Sequence, residues 1–137
     1  SQFNLIFDHP TYADTGPVGA VVNVAEQHPG VALFVVTCDL PFFDAACAEQ
    51  LLTAREPLRD ATAFFNPDMN QAEPLVTIYE AEFLRRVPSQ FKSGVNSLRK
   101  LLAKADVKLV TGHDGRCIHS ADQPSEFDAA KQKMTAR

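Results

Sequence analysis

The feature that most constrains the fold is an apolar run that ends abruptly at an acidic residue. Residues 32–38 are apolar on both faces of an extended chain, and Asp39 follows them directly. Such a run is typical of a central strand in a parallel sheet that helices cover on both sides. In open α/β sheets, ligands bind in the crevice outside the carboxyl ends of the strands. We therefore expect Asp39 to hold a hard cation against a phosphate. The alternative is an Asp that starts a turn or caps the next helix.

Strand and helix patterns alternate along the rest of the chain, which is typical of an α/β protein with a mostly parallel sheet. The connection formed by residues 66–74 is too short for a parallel crossover. The two strands on either side of it are therefore antiparallel partners or not neighbours. The predicted strands are residues 3–7, 32–38, 61–65, 75–79 and 107–110. Helices are predicted from Gly16-Pro17 to residue 28, after Asp44, over residues 80–91 with a kink or break at Pro88, after Asn96 or Ser97, and from Pro124.

Length, charge and cysteine content limit the classes of function. The 137 residues suffice for one domain, taken as 1–137, with a core of its own. The net charge of −4 does not favour nucleic acid or an anionic membrane as a partner. We find no secretory signal and no apolar run near the ~20 residues of a membrane span, so we expect a cytoplasmic protein. Cys38, Cys47 and Cys117 lack CxxC spacing and fit a reducing compartment better than a disulfide framework.

The loops at two strand ends form a candidate nucleotide site. Asp8 ends the first predicted strand as Asp39 ends the second, and Gly16, Pro17 and Gly19 lie between them at a helix N-terminus. Backbone N–H groups and the helix dipole favour an anion at such a position. The structural alternative is that Gly-Pro is ordinary punctuation before a helix.

The basic residues are concentrated between positions 85 and 108, where they could bind a second anionic substrate. Arg99, early in its helix, is the best candidate, and the alternative is a solvated helix face. The four histidines lack metal-ligand spacing, so we predict no zinc site.

Four segments of the chain match motifs of one known family. They are Asp8 with residues 16–19 (an Asp-loop-GPLxG motif), residues 34–43 (a strand ending in CDMP, CDLP or CDTP), residues 73–79 (EPLxAxY) and residues 97–102 (SLRxLL). Taken in order, these segments resemble the molybdenum cofactor guanylyltransferase family of nucleotidyltransferases. Single motifs of this kind are weak, but the order and approximate spacing of all four agree, and the resemblance runs from about Asp8 to Phe127.

The resemblance implies a fold and an activity. The fold is a three-layer α/β/α sandwich with a mostly parallel, Rossmann-like sheet of the nucleotide-diphospho-sugar transferase type. The activity is Mg²⁺-dependent transfer of GMP from GTP to molybdopterin. The roles implied are catalysis and Mg²⁺ binding for Asp39, nucleotide binding for Asp8, Gly16, Pro17 and Gly19, and acceptor binding for Arg99.

Three departures from the family pattern affect these expectations. Ala20 stands where the last glycine of GPLxG would be. Asp122 stands at the second Asn of the family's NVNTPEDL segment, so we expect it at the metal and acceptor side. The family's opening LAGGxSxRxGxxK segment, which carries the phosphate loop and a central strand, is absent from these 137 residues. The chain would then be the C-terminal two-thirds of a complete domain.

A sheet without a central strand exposes two apolar edges. We therefore expect a longer parent chain, a partner molecule such as a second copy, or a rearranged sheet to fill that position. Two other functions stay open at this point. One is a related cytidylyl- or sugar-nucleotide transferase, and the other is a non-catalytic nucleotide-binding or assembly domain.

Overall fold

The computed structural model describes residues 4–7 and 16–120 of the 137-residue chain. A 3₁₀ turn, Arg116–Ile118, follows the last strand. Within the described residues, no helix is long and apolar enough to cross a membrane. The elements in chain order are β1 (Asn4–Phe7), α1 (Gly16–Gln27), β2 (Leu33–Val36), α2 (Ala45–Ala54), β3 (Ala61–Asn66), β4 (Gln71–Tyr79), α3 (Ala81–Lys92), α4 (Leu98–Ala103) and β5 (Val107–Val110).

The five strands form one sheet in the order β1-β2-β4-β3-β5. Parallel pairing joins β1 to β2 and β3 to β5, whereas β4 is antiparallel to both of its neighbours. Four strands therefore run in one direction and β4 runs against them, which confirms the predicted α/β class with a mostly parallel sheet. The antiparallel pairing of β3 with β4 confirms what the short connection predicted.

Helices cover both faces of the sheet and give the three layers. Successive residues of β2 alternate between two cores: Leu33 and Val35 lie in one, and Phe34 and Val36 in the other. The first core packs against α1, α3 and α4, and the second packs against α2. Because both faces of β2 are buried, its sequence is a continuous apolar run rather than an alternating pattern.

Local sequence signals set the starts of α2 and α4. The Asp44 carboxylate caps α2 by accepting from the Cys47 N–H at 3.0 Å, and the Ser97 hydroxyl caps α4 by accepting from the Lys100 N–H at 3.4 Å. Pro88 lies inside α3, which continues to Lys92, so the proline does not break this helix. The helix predicted from Pro124 lies outside the described residues.

The position beside β2, where the absent segment would place a strand, is occupied. Leu33–Val36 pairs with β4 on one side and with β1 on the other. The described residues therefore leave no unpaired edge along this strand. Of the three alternatives stated for that position, the described residues show the rearranged sheet, with β1 next to β2.

The cysteine prediction is wrong, because Cys47 and Cys117 form a disulfide. The two residues are 70 positions apart in the chain. The fold brings them together where the first turn of α2 packs under the Arg116–Ile118 turn, and both are buried in the second core. Cys38 lies outside the disulfide and is exposed at the end of β2.

Candidate functional site

One edge of the sheet brings together those predicted site residues that the structure describes. The carboxyl ends of β1 and β2 lie level with each other, since Phe7 pairs with Val36. The turn between β3 and β4 is at the same edge, because β3 runs parallel to β2 and ends at this turn. A short connection, residues 28–32, joins the C-terminus of α1 to the amino end of β2. The N-terminus of α1 therefore points back toward this edge. We call it the carboxyl edge.

Asp39 lies in the turn that follows β2 and is half-buried. Its Oδ1 accepts a hydrogen bond from the Thr37 hydroxyl at 3.2 Å, and its Oδ2 accepts one from the Ser120 hydroxyl at 3.0 Å. Asp39 is thus in a turn, as one alternative had it, but it does not cap α2, because Asp44 does.

Glu73 is the second carboxylate on this edge, since β4 continues past the end of β2. The Thr37 N–H donates to the Leu75 carbonyl at 2.9 Å, so residues 73–75 flank the chain leading to Asp39. The Glu73 carboxylate accepts from the Asn66 amide at 3.0 Å and from the Leu75 N–H at 3.3 Å. Within the described residues, every hydrogen bond to Asp39 or Glu73 therefore comes from a neutral donor.

The Asp39 carboxylate and its hydrogen-bond partners fit a hard divalent cation. A carboxylate has about four acceptor positions, and two are filled by the hydroxyls of Thr37 and Ser120. Among residues 4–7 and 16–120, no group of three or more His, Cys, Asp or Glu side chains forms a metal cage. Mg²⁺ does not need one, because it is usually bound by one or two carboxylates together with substrate phosphates.

The N-terminus of α1 carries the predicted nucleotide-binding residues Gly16, Pro17 and Gly19, all half-buried. Gly16 has a φ of 68°, a backbone conformation in which a residue with a side chain would be strained. The N–H groups in the first turn of a helix have no partner within the helix and can bind an anion. Asp8 and Asp122 lie outside the described residues, so their predicted roles remain predictions.

Arg99 lies exposed in the first turn of α4. Its guanidinium contacts the Met69 sulfur at 3.6 Å, in the turn between β3 and β4. This contact brings Arg99 to the carboxyl edge. A cleft of about 220 Å³ between α1 and α3, lined by His28 and Arg85 among others, lies at the opposite edge and includes none of the predicted site residues.

The segment 116–120 contributes to the site, and sequence reasoning did not predict it. The Arg116 guanidinium donates to the Phe42 carbonyl at 2.9 Å and to the Asp44 carboxylate at 3.0 Å. The hydrogen bond from Arg116, and then that from the Cys47 N–H, lower the pKa of Asp44 below its usual 3.8. No local pattern marks these contacts, since they join residues more than 70 positions apart.

This geometry defines a class: an α/β domain with carboxylates and a helix N-terminus on the carboxyl edge of its sheet, an arrangement that suits phosphate compounds bound with a cation. The family is shown by sequence. Residues 1–110 match the model of the MobA-like NTP transferase domain, and the chain belongs to this family. The predicted resemblance is confirmed.

Two curated relatives share low identity with the chain. It is 24% identical over 122 residues to a "Molybdenum cofactor biosynthesis bifunctional protein" of Synechocystis sp., a match covering 86% of this chain and 35% of that protein. It is 23% identical over 128 residues to a "Probable molybdenum cofactor guanylyltransferase" of Geobacillus sp., covering 90% of this chain and 65% of that protein. The chain thus spans about one third and just under two thirds of these relatives.

A solved structure supports the fold. The molybdopterin-guanine dinucleotide biosynthesis protein A of Archaeoglobus fulgidus superposes with a TM-score of 0.66 at 12% identity, over 89% of this chain and 64% of that one. At this identity the likeness shows the fold alone, and it confirms the predicted fold class.

Proposed function

We propose that the protein is a Mg²⁺-dependent nucleotidyltransferase that moves GMP from GTP to molybdopterin. The observation that carries the proposal is the half-buried Asp39 carboxylate, held at the carboxyl edge by two neutral hydroxyls, in a chain of the MobA-like NTP transferase family. A carboxylate without a cationic partner in the described residues is suited to bind a cation from solution. The names of the relatives support the choice of GTP and molybdopterin.

In this proposal each part of the edge has a role. The N–H groups at the start of α1, around Gly16 and Gly19, bind phosphate oxygens of the nucleotide. Asp39 holds the divalent ion, and Asp122 completes the set of ligands. A bound Mg²⁺ supplies charge neutralisation on the phosphate oxygens. Arg99 binds the phosphate of the acceptor, and Asp8 contacts the nucleoside.

In the transfer of GMP, the main task of the protein is to position its substrates. An oxygen of the molybdopterin phosphate attacks the α-phosphorus of GTP. The bond from that phosphorus to the oxygen bridging to the β-phosphate breaks, and pyrophosphate leaves with the bridging oxygen. Because the chain has a net charge of −4, the phosphates are attracted only where a cation offsets it. The cytoplasmic location and a homo-oligomeric state stay predictions.

Nucleotide binding provides the test, since it separates this proposal from the two alternatives. We would measure thermal unfolding of the protein with GTP, CTP, ATP or UTP, each with and without Mg²⁺. A ligand at one hundred times its Kd stabilises the folded state by about 2.7 kcal/mol, a readily measured shift. We expect the largest shift with GTP and Mg²⁺, and turnover of GTP to pyrophosphate when molybdopterin is added.

Two matched variants decide the role of Asp39. Asp39→Asn should lose the Mg²⁺-dependent part of the GTP shift and the turnover. Asp68→Asn, which removes the same charge from the exposed β3–β4 turn, should retain both. A normal Mg²⁺ response in Asp39→Asn would refute the proposal. A larger shift with CTP or UTP would support the related transferase, and no shift with any nucleotide would support the non-catalytic domain.

A further inference from the structure

We propose that Ser120 is a positioning residue for Asp39 and that the Cys47–Cys117 disulfide keeps Ser120 in place. Metal binding at Asp39 would then depend on the redox state of that bond. The inference deepens the proposed function and rests on it, because Asp39 is the proposed metal ligand.

The hydrogen bond from Ser120 differs in kind from the one that Thr37 donates. Thr37 lies two residues before Asp39, so this contact is local to the turn. Ser120 reaches Asp39 across 81 positions of sequence and binds the other carboxylate oxygen at 3.0 Å. With one donor on each oxygen, the carboxylate is held from two separate parts of the chain. Partners of this kind orient a ligand and keep its remaining lone pairs directed at the metal.

The disulfide anchors the segment that carries Ser120. Cys117 lies three residues before Ser120 and is bonded to Cys47 in the first turn of α2. Both cysteines are buried in the second core. Between the anchor and Ser120, the His119 ring packs against the Phe42 ring, with centroids 5.8 Å apart. Residues 116–120 thus lie along the loop that links Asp39 to α2.

The ion pair that links this segment to α2 is weaker than the disulfide. The Arg116 and Asp44 side chains are 35% and 55% accessible to solvent, so their pair contributes little to holding the loop. Opening the disulfide takes two electrons and two protons from a dithiol such as dithiothreitol, which becomes a cyclic disulfide, and leaves two thiols. Two unbonded thiols need more room than the bonded pair, and in a buried position this displaces residues 116–120. The contact between Ser120 and Asp39 is then weakened.

The experiment measures Mn²⁺ binding without any turnover. Mn²⁺ is titrated into the ¹⁵N-labelled protein, and paramagnetic broadening of the amide signals next to Asp39 gives an apparent Kd. Ser120→Ala should raise this Kd about tenfold or more, the usual cost of losing a group that orients a metal ligand. Ser120→Thr retains a hydroxyl and should bind close to the parent value. Thr111→Ala, which removes an exposed hydroxyl from the start of the same loop, is the control and should bind as the parent does.

Reduction provides the second measurement. Dithiothreitol should raise the Kd of the parent protein, yet have little further effect in Ser120→Ala, where the contact is already lost. If Ser120→Ala binds as the parent does, or if reduction weakens both proteins equally, the inference is overturned. Asp39→Asn separates the two proposals. If it leaves the broadening unchanged, Asp39 is not the ligand and the proposed function fails. If it abolishes the broadening while Ser120→Ala does not change it, the inference about Ser120 alone is wrong.

Discussion

The Arg55–Glu80 ion pair gives the sharpest prediction about stability. Glu80 precedes α3, and its carboxylate is 4% exposed. Arg55, at the end of α2, donates from Nε at 2.8 Å and from Nη2 at 2.7 Å, one bond to each carboxylate oxygen. The pair therefore joins the ends of two helices that pack on opposite faces of the sheet. Replacing Arg55 by alanine leaves the Glu80 charge buried without its paired cation.

The loss of stability expected in Arg55→Ala follows from the burial of the Glu80 side chain. Removing one partner of a buried ion pair costs about 3–5 kcal/mol, because the remaining charge is desolvated without compensation. The Arg55 side chain is 28% exposed, so water can enter when it is removed, and we expect the lower value, about 3 kcal/mol. With a urea m-value of roughly 1.5 kcal/mol/M, the unfolding midpoint should fall by about 2 M. This is a large part of the 5–15 kcal/mol typical of a domain.

Urea unfolding followed by circular dichroism measures this change, and the chain offers a matched control. Arg85 and Glu82 form the same type of pair with the same closest distance, 2.7 Å, but their side chains are 71% and 80% exposed. Arg85→Ala should leave the midpoint unchanged within error, because water replaces the lost partner. Equal shifts in Arg55→Ala and Arg85→Ala would refute the argument from burial.

A double variant tests the same reasoning from the other direction. Replacing Arg55 and Glu80 together by methionine leaves no charge buried, so it should be more stable than Arg55→Ala alone. A double variant that is no more stable would mean that lost packing, rather than an uncompensated charge, explains the single variant.

Three further predictions concern other contacts. The Cys47–Cys117 disulfide closes about 70 residues, for which chain entropy predicts about 4 kcal/mol of stability, so replacing both cysteines by alanine should lower the free energy of unfolding in urea by roughly 2–4 kcal/mol. The hydrogen bond from Arg116 lowers the pKa of Asp44 below its usual 3.8, so the stability from this contact is fully present well above pH 3.8 and is lost as the pH falls through the lowered pKa. Asp44→Asn should therefore lose less stability than the parent when the pH is lowered below about 4 in urea titrations. Leu51 is fully buried, and Leu51→Ala should lower the free energy of unfolding by about 2–5 kcal/mol in the same assay.

Local signals in the sequence predicted the elements well, because each depends on residues near one another in the chain. The continuous apolar run predicts β2, with both faces buried. Residue type and position predict a helix after Asp44 and another after Asn96 or Ser97, and the structure shows Asp44 and Ser97 as the caps. The short connection over residues 66–74 predicted the antiparallel pair. These features are fixed by steric and hydrogen-bonding preferences that act over a few residues.

Contacts between distant parts of the chain could not be predicted in the same way. The disulfide, the Ser120–Asp39 hydrogen bond and the Arg55–Glu80 pair join residues 70, 81 and 25 positions apart. Each arises only once the strand order is set, and no periodicity encodes strand order. The position of β1 beside β2 shows this directly, because any parallel strand with an apolar pattern can pair there.

The partners of Asp39 and Glu73 at the carboxyl edge differ in charge from the partner of Glu80 at the opposite, amino edge of the sheet. At the amino edge, Glu80 is compensated by Arg55 in a bidentate pair, so its charge is used in holding the fold together. At the carboxyl edge, Asp39 and Glu73 accept only from hydroxyl, amide and backbone N–H groups within the described residues. Neutral donors orient a carboxylate and leave its negative charge uncancelled, and this is the basis on which we propose a cation there. Within the described residues, the fold gives Glu80 a cationic partner and gives Asp39 and Glu73 none, and this difference is why we place the proposed cation at the carboxyl edge.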